Sequence, residues 1–167
     1  MSSIFLFPVK LGAYRIIDGD TLSLSLDRGF KETKVVSLRL SGLNAPETRT
    51  RRLLEKQAGL LVKKIVAGWV EERKHLPSYA TSESKPKYAG RIIGQFFSTP
   101  ESISPEEAEI TGLPTSLLIS PWPAMESLNT FLLQLQIVKP YTGGKREFSD
   151  EELQAIITKC NGFLERQ

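Results

Sequence analysis

Alternating apolar and polar residues mark two neighbouring strands in the first quarter of the chain. In residues 21–27, three leucines alternate with polar side chains, which is the period of a strand with one buried face. In residues 34–40, Val36, Leu38 and Leu40 share one face, and Arg39 lies on the other with Val35 and Ser37. We therefore expect Arg39 to line a surface cleft, where it need not be a buried charge.

The remaining pattern predicts further strands followed by helices. The apolar start of the chain reads as a strand, and apolar residues at spacings of three and four predict helices farther on. A Ser with a Glu three residues later predicts a capping box for the last helix. The predicted strands are residues 12–17, 21–27, 34–40, 75–81 and 91–98, and the predicted helices are residues 50–72, a segment from Leu128 and a segment from Ser149.

A proline-rich stretch separates the last predicted strand from the second helix. Residues 99–126 hold half of the ten prolines of the chain. We expect an irregular insertion here that contributes little to the core. Insertions of this length are often lids or binding loops, or are merely mobile.

The composition is that of one ordinary globular domain, which we expect to span residues 1–167. The net charge of +3 is compatible with a polyanionic partner without requiring one. The single cysteine, Cys160, has no internal partner and lies at a helical apolar spacing, so we expect it in the core or half-buried. No signal peptide or membrane-spanning run is evident, and a cytoplasmic location is expected.

The order of these elements predicts an α+β fold. Five short strands with a helix after the third suggest an OB-type five-stranded barrel packed against about three helices. Barrels of this type commonly bind oligonucleotides, although fold alone does not establish function.

Three loops carry the residues that could perform chemistry. They are Ile-Asp-Gly-Asp-Thr at residues 17–21, Asn-Ala-Pro-Glu at residues 44–47 and Lys-Tyr-Ala-Gly-Arg at residues 87–91. Each loop alone reads as a structural turn. The first also places the Asp20 carboxylate at a strand end, where a hard cation can bind.

Together, in this order and with a long helix between the last two, the loops resemble the staphylococcal nuclease (thermonuclease) family. The resemblance runs from about residue 12 to residue 97, resumes at residues 127–134 and 139–145, and leaves out the insertion. It implies an OB-type barrel with three helices. It also implies a calcium-dependent phosphodiesterase acting on DNA and RNA.

The resemblance also implies a metal site. Asp20 matches a metal-binding carboxylate, and Asn44 matches a position that is usually an Asp ligand. Ala45 matches a residue that lends its backbone carbonyl to the metal.

Catalytic and substrate-binding roles follow in the same way. Glu47 matches the glutamate that acts as the general base or helps position it, and Arg39 and Arg91 match the two arginines that hold the scissile phosphate. Paired hydrogen bonds from a guanidinium suit the charge of a phosphoryl group.

Three more residues resemble nucleotide contacts. Lys87 and Tyr88 resemble a pair that contacts a terminal phosphate, although Ala89 looks like an extra residue that shifts their register. Tyr141 resembles an aromatic position beside the nucleotide.

Asn44 is a departure from the family pattern. An amide oxygen can bind calcium but carries no charge, so weaker metal binding is expected. Two hypotheses therefore stand. The first is a metal-dependent endonuclease on DNA or RNA, and the second is a weak or inactive module that binds nucleic acid or a protein partner.

Overall fold

The computed structural model describes residues 5–83, 90–98, 126–145 and 147–167. Within these ranges the chain forms a seven-stranded sheet, a separate two-stranded pair and three helices. The sheet contains β1 (Phe5–Asp18), β2 (Thr21–Gly29), β3 (Glu32–Leu40), β5 (Ser78–Ser82), β6 (Arg91–Gly94), β7 (Phe96–Ser98) and β8 (Glu126–Ser127). The pair is β4 (Leu43–Asn44) with β9 (Lys139–Pro140), and the helices are α1 (Leu53–Arg73), α2 (Leu128–Gln134) and α3 (Asp150–Glu165).

The sheet curls into a nearly closed barrel because two consecutive strands pair with different neighbours. The strand order is β6-β3-β2-β1-β5-β7-β8, and only Gln95 separates β6 from β7. β6 runs parallel to β3, whereas β7 runs antiparallel to β5. The Thr81 N–H donates to the Gln95 carbonyl at 2.9 Å, and the Glu83 N–H donates to the Ile93 carbonyl at 2.8 Å. The segment from Arg91 to Ser98 thus links the two sides of the sheet.

Gly94 permits this closure. A Cβ atom at residue 94 would lie 1.8 Å from the carbonyl oxygen of Thr81 on β5. Two backbones approach too closely there for any side chain, so a larger residue would force the barrel open.

The predicted α+β class is confirmed, and the predicted helices lie close to the observed ones. The helix predicted at residues 50–72 is Leu53–Arg73. The predicted capping box is present, because the Glu152 N–H donates to the Ser149 hydroxyl and the Ser149 N–H donates to the Glu152 carboxylate.

The predicted number of five strands is wrong. The apolar chain start and residues 12–17 belong to one strand, β1, whose register with β2 shifts between Lys10 and Tyr14. The strand predicted at residues 91–98 is two strands, since it exchanges partners at Gln95. Short strands formed by long-range pairing, such as β8, carry no local periodicity.

The core lies between the barrel and α1. Leucines of β2 and β3 belong to one hydrophobic cluster with Ala58, Val62 and Val66 of the helix, and all of these side chains are buried. α3 packs on α1, and its Cys160 is fully buried, as expected. Burial raises the pKa of the Cys160 thiol to about 12. No helix in the described ranges is long and apolar enough to cross a membrane.

The predicted insertion begins after β7. Its expected end at residue 126 is wrong by one position, because Glu126 belongs to β8 and pairs with Ser98. Residues 99–125 lie outside the described residues, and so does the prediction of their irregular structure.

Candidate functional site

A polar cleft of about 120 Å³ opens at one end of the barrel. The β1–β2 turn, the end of β3, the segment from β4 onward and the start of β6 all meet there. The residues that line it are Asp18, Asp20, Thr21, Arg39, Asn44, Ala45, Pro46, Glu47 and Arg91. The structure therefore brings together the predicted catalytic residues and the predicted metal ligands.

A buried ion pair forms the floor of this cleft. Asp20 Oδ2 is ion-paired with Arg39 Nη1, and the side chains of Asp20 and Arg39 are only 11% and 8% exposed. The same Asp20 oxygen accepts a hydrogen bond from the Ala45 N–H at 3.0 Å, and Asp20 Oδ1 accepts one from the Thr21 hydroxyl at 2.9 Å. Arg39 lines the cleft as expected, but the expectation that it need not be a buried charge is wrong, because the strand carries it beneath the β1–β2 turn.

Arg39 retains hydrogen-bonding capacity after this pairing. Its Nη2 donates to the Leu43 carbonyl at 3.4 Å, and Nη1 is the atom that contacts Asp20. A guanidinium has five N–H donors in a fixed fork. These two contacts leave further N–H groups of the guanidinium, which lines the cleft, for an incoming oxyanion.

Arg91 brings a second guanidinium to the cleft from the neighbouring strand. It is exposed and lies opposite Ser37 in the parallel β3–β6 pair. Ser37 and Arg39 share one face of β3 because they are two residues apart. Arg39 and Arg91 are thus on one face of adjacent strands, where two guanidinium groups can bind one tetrahedral anion.

The loop that carries Glu47 rests on α1. A Cβ atom at Gly59 of α1 would lie 2.7 Å from the Glu47 carbonyl oxygen and 2.8 Å from that of Pro46. The Glu47 N–H donates to Glu55 Oε1 at 3.4 Å, and the Glu47 side chain is exposed. The helix therefore supports the loop backbone while the Glu47 carboxylate remains open to solvent at the cleft.

Sequence reasoning did not assign Asp18 and Thr48 to the site. The Thr48 hydroxyl donates to Asp18 Oδ1, which ties the Glu47 loop to the β1–β2 turn. Asp18 also lines the cleft. The sequence feature that could have indicated Asp18 is the second aspartate in Asp18-Gly19-Asp20. A turn alone accounts for an Asp at residue 18, so the sequence gives no reason to expect a partner distant in the chain.

Of the remaining predicted contacts, the described one, Tyr141, lies beside the cleft without lining it. The Tyr141 N–H donates to the Gly42 carbonyl at 2.9 Å beside the β4–β9 pair, which places its backbone next to the site loop. Its hydroxyl donates to the Gly144 carbonyl at 3.3 Å, and Tyr141 is not among the described residues that line the cleft. Lys87 and Tyr88 lie outside the described residues.

The oxygen atoms of the predicted metal ligands suit a hard cation, but only one of these ligands carries a charge. Asp20, the Asn44 amide and the Ala45 peptide supply only oxygen ligands, which Ca²⁺ prefers. A carboxylate oxygen accepts at two positions, so Asp20 Oδ1 retains one beyond the Thr21 hydroxyl. Within the described ranges, no three His, Cys, Asp or Glu residues are grouped as metal ligands. A cation here would therefore depend on neutral oxygens, water or substrate to complete its coordination.

Comparison with models of known protein families, and with curated proteins, found no match to the chain. The cleft geometry and the loop motifs are therefore the observations that bear on function.

Proposed function

We propose that this protein is a metal-dependent phosphodiesterase that cleaves DNA or RNA, built on an OB-type barrel. The observation that carries the proposal is the convergence of two guanidinium groups and one exposed carboxylate in a single cleft. Arg39 is held at the cleft by its buried ion pair with Asp20. The motifs at residues 17–21 and 44–47, which resemble those of staphylococcal nuclease, supply seven of the nine residues that line this cleft.

In this proposal Arg39 and Arg91 bind the scissile phosphodiester. Negative charge grows on the phosphoryl oxygens as the nucleophile attacks, and preorganised donors stabilise that charge more in the transition state than in the ground state. The buried pairing of Arg39 with Asp20 fixes the guanidinium before substrate arrives. Arg91 is exposed and supplies its charge from the open side of the cleft.

Glu47 would accept the proton of the attacking water. Its carboxylate is exposed at the cleft, while the loop backbone is held by Glu55 and by the close approach of Gly59. A positioned general base contributes about 10²- to 10⁴-fold to the rate.

Asp20, Asn44 and Ala45 would hold a divalent cation, of which Ca²⁺ is the expected one. A bound cation neutralises phosphoryl charge and makes water more acidic. With Asn in place of a carboxylate at residue 44, the protein itself contributes less negative charge to the site.

The existing contacts of the Asp20 carboxylate favour a second candidate function. Its carboxylate already contacts Arg39, the Ala45 N–H and the Thr21 hydroxyl. A cation would have to share this carboxylate with a buried guanidinium, which weakens cation binding. The alternative is therefore a module that binds nucleic acid or a protein partner without cutting.

Incubation with single-stranded DNA in Ca²⁺ and then in excess chelator tests the proposal. We expect digestion that stops when the chelator is added. Retention of DNA without cleavage at any Ca²⁺ concentration would contradict it and support the binding module.

Asn44→Asp sharpens the test because it restores a carboxylate with little change in size. It should lower the Ca²⁺ concentration for half-maximal rate, and an unchanged Ca²⁺ dependence would remove residue 44 from the metal site.

A further inference from the structure

One side of α1 carries a row of positive charge. Lys56, Leu60, Lys63 and Lys64 recur at the spacings that place side chains on one side of a helix. Lys56 and Lys64 are exposed, Lys63 is half-buried, and the Leu60 side chain is 48% exposed. We call these four residues the α1 basic edge.

The α1 basic edge begins beside the cleft. Lys56 and Lys63 are three and four residues from Gly59, so they are its neighbours on the helix surface. Gly59 is where the Glu47 loop touches α1, since a Cβ there would lie 2.7 Å from the Glu47 carbonyl oxygen. The lysines therefore flank the contact between the helix and the site loop.

Within the described ranges, no acidic side chain balances the positive charge of this edge. Lys56, Lys63 and Lys64 form no ion pair with any carboxylate of the described residues. Farther along, Lys74 pairs with Glu71 at 2.5 Å. A row of lysines is ordinarily a solvated face. This row differs because it starts beside the loop that carries Glu47 into the cleft, and because it has exposed apolar surface, Leu60, between its charges.

We propose that the α1 basic edge binds the strand of nucleic acid that extends from the cleft. The inference rests on the proposed function and names the path of its substrate. From Lys56 to Lys64 the helix rises about 12 Å, at 1.5 Å per residue. That length matches roughly three phosphates at the ~3.4 Å axial spacing of a DNA strand. The ammonium groups contact phosphates, and Leu60 contacts a base or sugar between them.

The test measures binding without divalent cations, so that it does not depend on cleavage. The Lys56→Glu/Lys64→Glu variant is compared with wild type and with Arg28→Glu/Lys34→Glu as the matched charge control. Arg28 and Lys34 are exposed near the end of the β2–β3 hairpin opposite the cleft, since Thr21 pairs with Arg39 at the cleft end. Fluorescence anisotropy follows an oligothymidylate of about twelve nucleotides over a range of salt concentrations.

We expect the α1 variant to bind the oligonucleotide roughly tenfold or more weakly. The slope of log affinity against log salt should fall in magnitude by roughly 1.4, because each phosphate contact of a single strand contributes about 0.7. The hairpin control should keep the wild-type slope. An unchanged slope in the α1 variant, or an equal loss in the control, would overturn the inference. Equal competition by polyglutamate of matched charge would also overturn it, because the edge would then be a general polyanion surface.

Turnover of a dinucleotide phosphodiester separates this inference from the proposed function. A dinucleotide has no strand that extends from the cleft along the edge, so the α1 variant should lose much less turnover on it than on the oligonucleotide. If wild type cleaves DNA but the α1 variant binds the oligonucleotide as tightly as wild type, only the inference fails. If wild type binds through the edge but cleaves nothing, only the proposed function fails.

Discussion

Arg39 combines two tasks in one side chain. Its pairing with Asp20 is buried, and removal of one partner from such a pair leaves an uncompensated charge at a cost of about 3–5 kcal/mol. Arg91 lines the same cleft but is exposed and forms no ion pair with the described residues. The two arginines should therefore differ in their effect on stability and agree in their effect on activity.

The paired variants Arg39→Met and Arg91→Met test this distinction. Arg39→Met should lower the free energy of unfolding by about 3–5 kcal/mol, and Arg91→Met should change it by no more than about 0.5 kcal/mol. Both should reduce the turnover of single-stranded DNA. Urea unfolding and steady-state rates measure the two effects. Equal stability of the two variants would contradict the role of the Asp20–Arg39 pair, and full activity of either would remove that arginine from phosphate binding.

The strand period predicted which face of β3 carries Arg39, but it could not predict the burial of that residue. Period two is a local property, whereas the guanidinium is buried against Asp20 of the β1–β2 turn and the Leu43 carbonyl. Asp18 was not assigned for the same reason, because its partner Thr48 is distant in sequence. The candidate site could be predicted as a set of loops, and the contacts within it could not.

At the level of elements, α1 is the support for the site loop. Its apolar stripe was readable from the sequence, and its buried residues follow that stripe. Gly59 could not be interpreted from the pattern, since a helical glycine normally costs stability. The structure supplies the reason, which is the approach of the Glu47 and Pro46 carbonyls.

Gly59→Ala and Gly68→Ala form a matched pair within α1. A Cβ at residue 68 meets nothing within 4 Å, so Gly68→Ala should stabilise the protein by up to about 1 kcal/mol through helix propensity. At residue 59 the clash with backbone costs about 1–3 kcal/mol and outweighs that gain. Gly59→Ala should therefore lower both the melting temperature and the rate. A stabilised and fully active Gly59→Ala would show that α1 does not set the position of the Glu47 loop.

At the scale of the molecule, the fold class could be predicted from the sequence and the closure of the barrel could not. Closure depends on Gln95, where one run of apolar residues changes partners, and on the backbone contact at Gly94. Neither feature alters the hydrophobic pattern. The pairing of β7 with β8 could not be predicted from the pattern either, because Ser98 and Glu126 are paired although a long segment separates them in sequence.

Replacement of residues 99–125 by a short Gly/Ser turn should leave the barrel folded. The ends to be joined are already paired, and a shorter loop costs less closure entropy, at about 0.6 kcal/mol for each halving of length. The free energy of unfolding should stay equal or rise by about 1–2 kcal/mol. Cys160 provides the readout, because its buried thiol, with a pKa of about 12, should react with a thiol reagent only after unfolding. Rapid labelling of the shortened protein without denaturant would show that the segment belongs to the core.

The most direct test of the central claim is the single-turnover rate of Glu47→Gln on single-stranded DNA in Ca²⁺. The Glu47 carboxylate is exposed, so the substitution should leave the melting temperature and DNA affinity unchanged. Loss of the general base should lower the rate by about two orders of magnitude or more. A Glu47→Gln protein that cleaves at nearly the wild-type rate would contradict the account of this cleft as a phosphodiesterase site with Glu47 as its base.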